Sequence, residues 1–69
     1  MGADDEVAVV FNNEDQKWYV SIVGGGNIKY AIRRGQCFTT KTDALDYATN
    51  LSSRKYTEYG IRIYEGDEF

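Results

Sequence analysis

The chain has no histidine and no proline, and a single cysteine, Cys37. Without histidine it lacks the commonest general base and the commonest nitrogen ligand for a transition metal. A lone cysteine cannot close an internal disulfide, so a covalent framework is excluded and no oxidising compartment is implied. With no imidazole to activate it, and placed at the end of an apparent sheet, Cys37 reads as a small packed hydrophobe and not as a nucleophile. No apolar run approaches the roughly 20 residues needed to span a bilayer, and the opening "MGADDEVAVV" has neither the positive start nor the apolar length of a signal peptide. The expectation is a cytoplasmic protein with no membrane partner, in the host cell's cytoplasm if it is phage-encoded. Acid is missing as well, from Gln16 to Thr42, although the chain as a whole carries a net charge of −3.

Sixty-nine residues predict one domain, spanning 1–69 with acidic ends, because a chain this short buries only roughly 60% of its unfolded surface. A hydrophobic content of 42%, with six Tyr and one Trp among the aromatics, places it with globular and not with disordered chains.

Val7, Val9 and Phe11 alternate with Ala8 and Val10, which predicts a first strand, and "NNEDQ" predicts the turn after it. Trp18, Val20 and Ile22 alternate with Lys17, Tyr19 and Ser21 in a second strand. "GGGN" predicts a hairpin into a third, where Ile28, Tyr30 and Ile32 oppose Lys29, Ala31 and Arg33. The period then changes. Thr40 followed by Asp43 marks a helix start, and Ala44, Ala48 and Leu51 recur at i, i+4 and i+7 over about residues 41–54, flanked by Leu45 and Tyr47. "YGIRIY", Tyr59 to Tyr64, alternates again and predicts a last strand. The fold class expected is α+β, a single antiparallel four-stranded sheet in the order β-β-β-α-β with one helix packed on one face. Its buried face would hold Val7, Val9, Phe11, Trp18, Val20, Ile22, Ile28, Tyr30, Ile32, Ile61 and Ile63, leaving the other face open.

On Trp18, Val20, Phe38, Thr40, Lys41, Ala44 and Ala48 the chain resembles a small bacterial and phage domain of unknown function with the pattern W-x-V, then F-x-T-K-x-x-A-x-x-x-A. The same stretch is similar to the arm-binding amino-terminal domain of tyrosine recombinases. That resemblance implies three strands and a helix whose sheet enters a DNA groove.

No motif carries catalysis. The clusters Asp4-Asp5-Glu6 and Asp67-Glu68 lack the spacing of a calcium loop and read as solvated ends, and Gly24-Gly25-Gly26 lacks the spacing of a phosphate cradle. No cofactor, no metal and no catalytic residue is expected. Charge is the informative feature. Residues 17–41 carry five cations and no acid, net +5, whereas the rest carries three cations and eleven acids, net −8. The function expected is a non-enzymatic binding protein of phage or mobile-element type, an inhibitor that docks on a larger protein or nucleoprotein complex, as anti-CRISPR proteins do by analogy. Asp43, Asp46, Glu65, Asp67 and Glu68 would form its acidic docking side. The alternative is a nucleic-acid-binding module using Lys17, Tyr19, Lys29, Arg33, Arg62 and Tyr64 on the open sheet face. Either would act as a monomer or small homo-oligomer.

Overall fold

The structure, a computed structural model, describes residues 5–24, 27–54 and 60–65. Strand β1 (Glu6–Asn12) pairs antiparallel with β2 (Lys17–Val23) in a register that sets Val7 opposite Ile22 and Phe11 opposite Trp18. The turn between them closes because its polar side chains bind their own backbone. Asn12 Oδ1 accepts the Glu14 N–H at 3.2 Å, Asp15 Oδ1 accepts the Lys17 N–H at 3.1 Å, and Gln16, at φ 60°, donates its N–H to the Asn12 carbonyl at 2.8 Å.

After β2 the chain departs from the expected meander. Residues Ile28–Arg34 form a helix, α1, where the alternation of Ile28, Tyr30 and Ile32 predicts a third strand. The same seven residues also satisfy helical spacing, since Ile28, Ala31 and Ile32 fall at i, i+3 and i+4, and a run this short is ambiguous between the two periods. Tertiary demand decides. Val7, Ala8, Val9 and Val10 are all fully buried, so both faces of β1 need an apolar cover. Ile28 and Ala31 of α1, with Ile32 partly buried beside them, pack against Ala8, Val10 and Val23 on one face. A seven-residue helix would not persist alone, and this burial is what holds it. Arg33 and Arg34 suit its negative carboxyl end.

Gly35 turns the chain out of α1 into a three-residue strand, β3 (Gln36–Phe38), which pairs antiparallel with β2 through Trp18↔Phe38 and Val20↔Gln36. The second helix, α2 (Lys41–Arg54), has the extent that the sequence predicts. Thr40 Oγ1 accepts the Asp43 N–H at 3.2 Å, capping it as expected. Ala44 and Ala48 are fully buried and let the helix approach the sheet closely over Val7, Val9, Trp18 and Val20. Trp18, 9% exposed, lies beneath α2 as the pattern requires, with its ring 4.9 Å from that of Phe11.

The final strand, β4 (Ile61–Tyr64), pairs with β1 in parallel, giving the order β3-β2-β1-β4. The sheet is therefore mixed and not purely antiparallel. A strand, helix, strand passage such as β3-α2-β4 turns the chain end over end, so its two strands must point the same way. Ile61 and Ile63, expected in the core, occupy this edge strand at 38% and 45% exposure, and Tyr30 on the outer side of α1 is 45% exposed. The result is one four-stranded sheet between two helices, with an apolar cluster on each face.

The corner at Gly35 leaves no room for a side chain. A Cβ there would lie 2.4 Å from the Ala31 carbonyl oxygen and 2.7 Å from that of Val20, both backbone atoms that cannot swing away. Its φ of −79° suits any residue, so glycine is needed for close approach and not for conformation. Gly35→Ala should cost about 1–3 kcal/mol through forced separation of α1 and β2. Gly60→Ala meets no steric contact but must hold φ +68°, and should cost about 1 kcal/mol. Thermal melts of the two variants check the ranking.

Candidate functional site

Three residues of the expected acidic side, Asp43, Asp46 and Glu65, are described. Asp43 and Asp46 are exposed on α2 as predicted. Glu65 is engaged at 3.0 Å with Lys41, whose ammonium also lies 5.6 Å above the Trp18 ring. Both partners are about half exposed, so the pair contributes little stability. Asp67 and Glu68 lie outside the described residues.

The six residues of the expected nucleic-acid face do not lie on an open sheet face. Lys17 and Tyr19 on β2, and Arg62 and Tyr64 on β4, share a sheet face, as their partners Asn12, Val10 and Ala8 on β1 show. That face is not open, because α1 packs on it, and Lys29 and Arg33 belong to α1 itself. Tyr64 is half-buried and donates its hydroxyl to Glu6 Oε2 at 2.5 Å. Arg62 Nε lies 3.6 Å from the other oxygen of the same carboxylate. Glu6, read from the sequence as part of a solvated end, is 3% exposed. A carboxylate so placed needs both partners, and they join β4 to β1 from the side chains as well as the backbone. Burial first, and then the bond to Glu6, pushes the Tyr64 phenol up from its ordinary value.

Tyr19 donates its hydroxyl to Asp15 in the hairpin turn. That bond, followed by one with Cys37, holds the Tyr19 phenol well above its ordinary range. Cys37 is exposed, which corrects its reading as a packed hydrophobe: on the short edge strand β3 its side chain faces Tyr19 and the solvent, away from the α2 core.

A concavity lies elsewhere, at the end of β2 that β3 does not reach. Pairing with β3 stops at Val20, so Ser21, Ile22 and Val23 have no strand beyond them on that side among the described residues. A cleft of about 290 Å³ opens there, with Tyr30 and Arg34 of α1 on one wall, Tyr47 and Leu51 of α2 on the other, and Val20 to Ile22 as the floor. A second hollow of about 280 Å³ continues it past Gly24 and Asn27, sharing Ile22 and Tyr30. Lys29, Arg33 and Arg34 are exposed on α1, which carries no acid, and none of the three pairs with a described acid. None of this cleft is legible in the sequence, because Tyr30 and Arg34 reach it only when residues 28–34 are a helix.

Among the described residues no three His, Cys, Asp or Glu side chains converge as a metal site, and no described helix is long and apolar enough to cross a membrane. No protein family, curated protein or solved structure matches the chain.

The raised phenol of Tyr64 carries a pH dependence. A group whose folded value lies above its unfolded value of 10.0 contributes stability that is fully present below that value and is lost as pH rises through the folded one. The wild-type protein should therefore lose stability above about pH 10, with Tyr64 ionising late in a tyrosinate absorbance titration. Tyr64→Phe should flatten that alkaline fall. At neutral pH it should cost about 1–3 kcal/mol, because Glu6 loses its hydroxyl donor while still buried. Denaturant melts across the alkaline range measure both effects.

Proposed function

We propose that the chain is a non-enzymatic binding protein that docks on a larger protein through the cleft between α1 and α2. The observation that carries the reading is the cleft itself, whose two walls come from different helices and present Tyr30, Arg34 and Tyr47 to a partner. Tyrosine and arginine are the residue types that dominate binding energy at protein interfaces, since each supplies a large contact area together with a polar end. The cations of α1 border one wall, and Asp43 and Asp46 project from the helix that forms the other. A partner with matching charge on either side of an aromatic contact would be held in one orientation. The inhibitory use follows from the same contact, because a bound domain of 7.9 kDa obstructs whatever surface lies beneath it. The phage or mobile-element origin rests on the sequence resemblance alone.

A second reading has one observation in its favour. Lys29, Tyr30, Arg33 and Arg34 are exposed on a single helix, a grouping that could neutralise phosphates and stack a base. The net charge of −3 opposes it within about a Debye length, roughly 8 Å at physiological salt, beyond which the repulsion is screened.

A pull-down from lysate of the cells that carry the gene, with and without nuclease, separates the readings. The expected result is capture of a protein that survives nuclease and is lost with Tyr30→Ala plus Arg34→Glu, both exposed positions at which the fold should be retained. Loss of capture on nuclease treatment would transfer the assignment to nucleic acid. Capture that persists in the cleft variant but disappears with Asp43→Lys plus Asp46→Lys would move the docking surface to the acidic face of α2.

A further inference from the structure

Two contacts fix the direction of the backbone at the end of β2. Val7 donates its N–H to the Gly60 carbonyl at 2.7 Å, so Val7 turns its polar groups toward β4, and Ile22, set opposite Val7, shares no hydrogen bond with it. Ile22 therefore points its N–H and C=O away from β1. The Val20 carbonyl gives the same direction, because a Cβ on Gly35 would lie 2.7 Å from it, and residues two apart along a strand point the same way. On that side the ladder to β3 has ended at Val20, and the Ile22 N–H meets no acceptor among the described residues. The Ile22 carbonyl accepts a long bond, 3.4 Å, from the Ser21 hydroxyl. A backbone donor and an acceptor with capacity to spare thus face the cleft between α1 and α2.

The trough has one closed end. The place opposite Ile22 lies on the line of β3, and a strand laid there runs into Gly35 and Gln36, where the chain's own strand begins. At that end stands Arg34, the one charged residue among the described ones that line either hollow. Toward the other end the second hollow passes Gly24, which the Asp5 carboxylate approaches. An added strand antiparallel to β2 brings its carboxyl end to the closed, cationic end. A parallel strand would set its amino terminus against Arg34, like charge against like.

We propose that the cleft takes the free carboxyl terminus of a partner protein as an added strand, antiparallel to β2 and in line with β3. This rests on the reading of the cleft as a protein-docking site and names what enters it. The terminal carboxylate accepts the Ile22 N–H and the Arg34 guanidinium, and the N–H of the last residue bonds the Ile22 carbonyl. The last side chain shares the sheet face of Ile22 and meets Tyr47 and Leu51, so an apolar residue is selected there. The side chain before it falls on the α1 face, beside Tyr30. An internal segment would have to turn away from the sheet at Gly35 and would bring no main-chain charge to Arg34.

Two arrays of short synthetic peptides, identical in sequence and varied at their closing positions, test the proposal, one with free carboxyl ends and the other amidated. The full chain should bind members of the first that end in an apolar residue and none of their amidated twins. Arg34→Gln, at an exposed position, should weaken that binding by about tenfold or more with an unchanged melt, and Arg34→Lys by less. The Ile22 amide should exchange quickly with solvent in the free protein and be protected by a bound peptide. Equal binding of the amidated peptides, binding that survives Arg34→Gln, or an Ile22 amide whose exchange the peptide leaves unchanged would overturn the carboxyl-terminal assignment and leave the cleft standing as a docking site. Binding by neither array overturns it too. The amidation and exchange readouts need no variant, so the test holds whether or not Arg34→Gln folds. The cleft itself fails separately, through partner capture that persists in the Tyr30→Ala plus Arg34→Glu variant.

Discussion

The structure depends on the burial of β1 from both sides. Val7 and Val9 face one layer and Ala8 and Val10 the other, and all four are removed from water. Fully burying one valine is worth about 1.5–3 kcal/mol, so this strand supplies a large part of what a small domain has to set against its chain entropy. Two covers are then obligatory, and a chain of 69 residues has little to build them from. It uses seven residues for one and fourteen for the other. The longer helix, α2, touches all four strands, whereas α1 packs mainly on β1 and β2. The end of β2 beyond its pairing with β3 is thus a remainder of a packing problem solved with short pieces, and the cleft opens there.

The same arrangement converts a sequence asymmetry into a spatial one. The acid-free stretch from Gln16 to Thr42 supplies β2, α1 and β3, whereas acids resume at Asp43 in α2. Because the helices pack on opposite faces, Lys29, Arg33 and Arg34 are held on one side of the sheet and Asp43 and Asp46 on the other. The sheet lies between the two charge groups, and salt screens exposed charges from one another beyond roughly 8 Å at physiological ionic strength. Their fields do not cancel. The molecule therefore has a cationic side and an acidic side despite its modest net charge.

Glu6 shows how the last strand is recruited. An acid at the start of a buried strand is costly unless it is bonded, and its partners Arg62 and Tyr64 both come from β4. Removing one partner leaves an unsatisfied charge, so the pairing of the chain's first and last strands is specified by polar groups as well as by the parallel ladder. Ile61 and Ile63, which alternate with these two residues, lie beside Val7 and Val9 on the α2 face and remain exposed at the edge.

The sequence by itself determined the elements whose signals are local. The Thr40 cap, the Ala44, Ala48 and Leu51 seam of α2, the hairpin built on "NNEDQ", the alternation of β2 and the place of Trp18 under the helix all follow from residues near one another in the chain. One further signal was present and ambiguous: the unbroken apolar run from Val7 to Val10 marks a strand buried on both faces, yet it also fits the alternation of a half-buried one. Only the tertiary structure decided between them. Residues 28–34 satisfy both periods, and the need to cover Ala8 and Val10 selects the helix. That choice moves Lys29 and Arg33 off the sheet, breaks up the expected basic face, and brings Tyr30 and Arg34 beside Tyr47 and Leu51 to form the cleft. The direction of β4 was equally beyond local reading, because a strand's alternation is the same whichever way its neighbour runs, and only the passage of α2 across the sheet makes the pairing parallel.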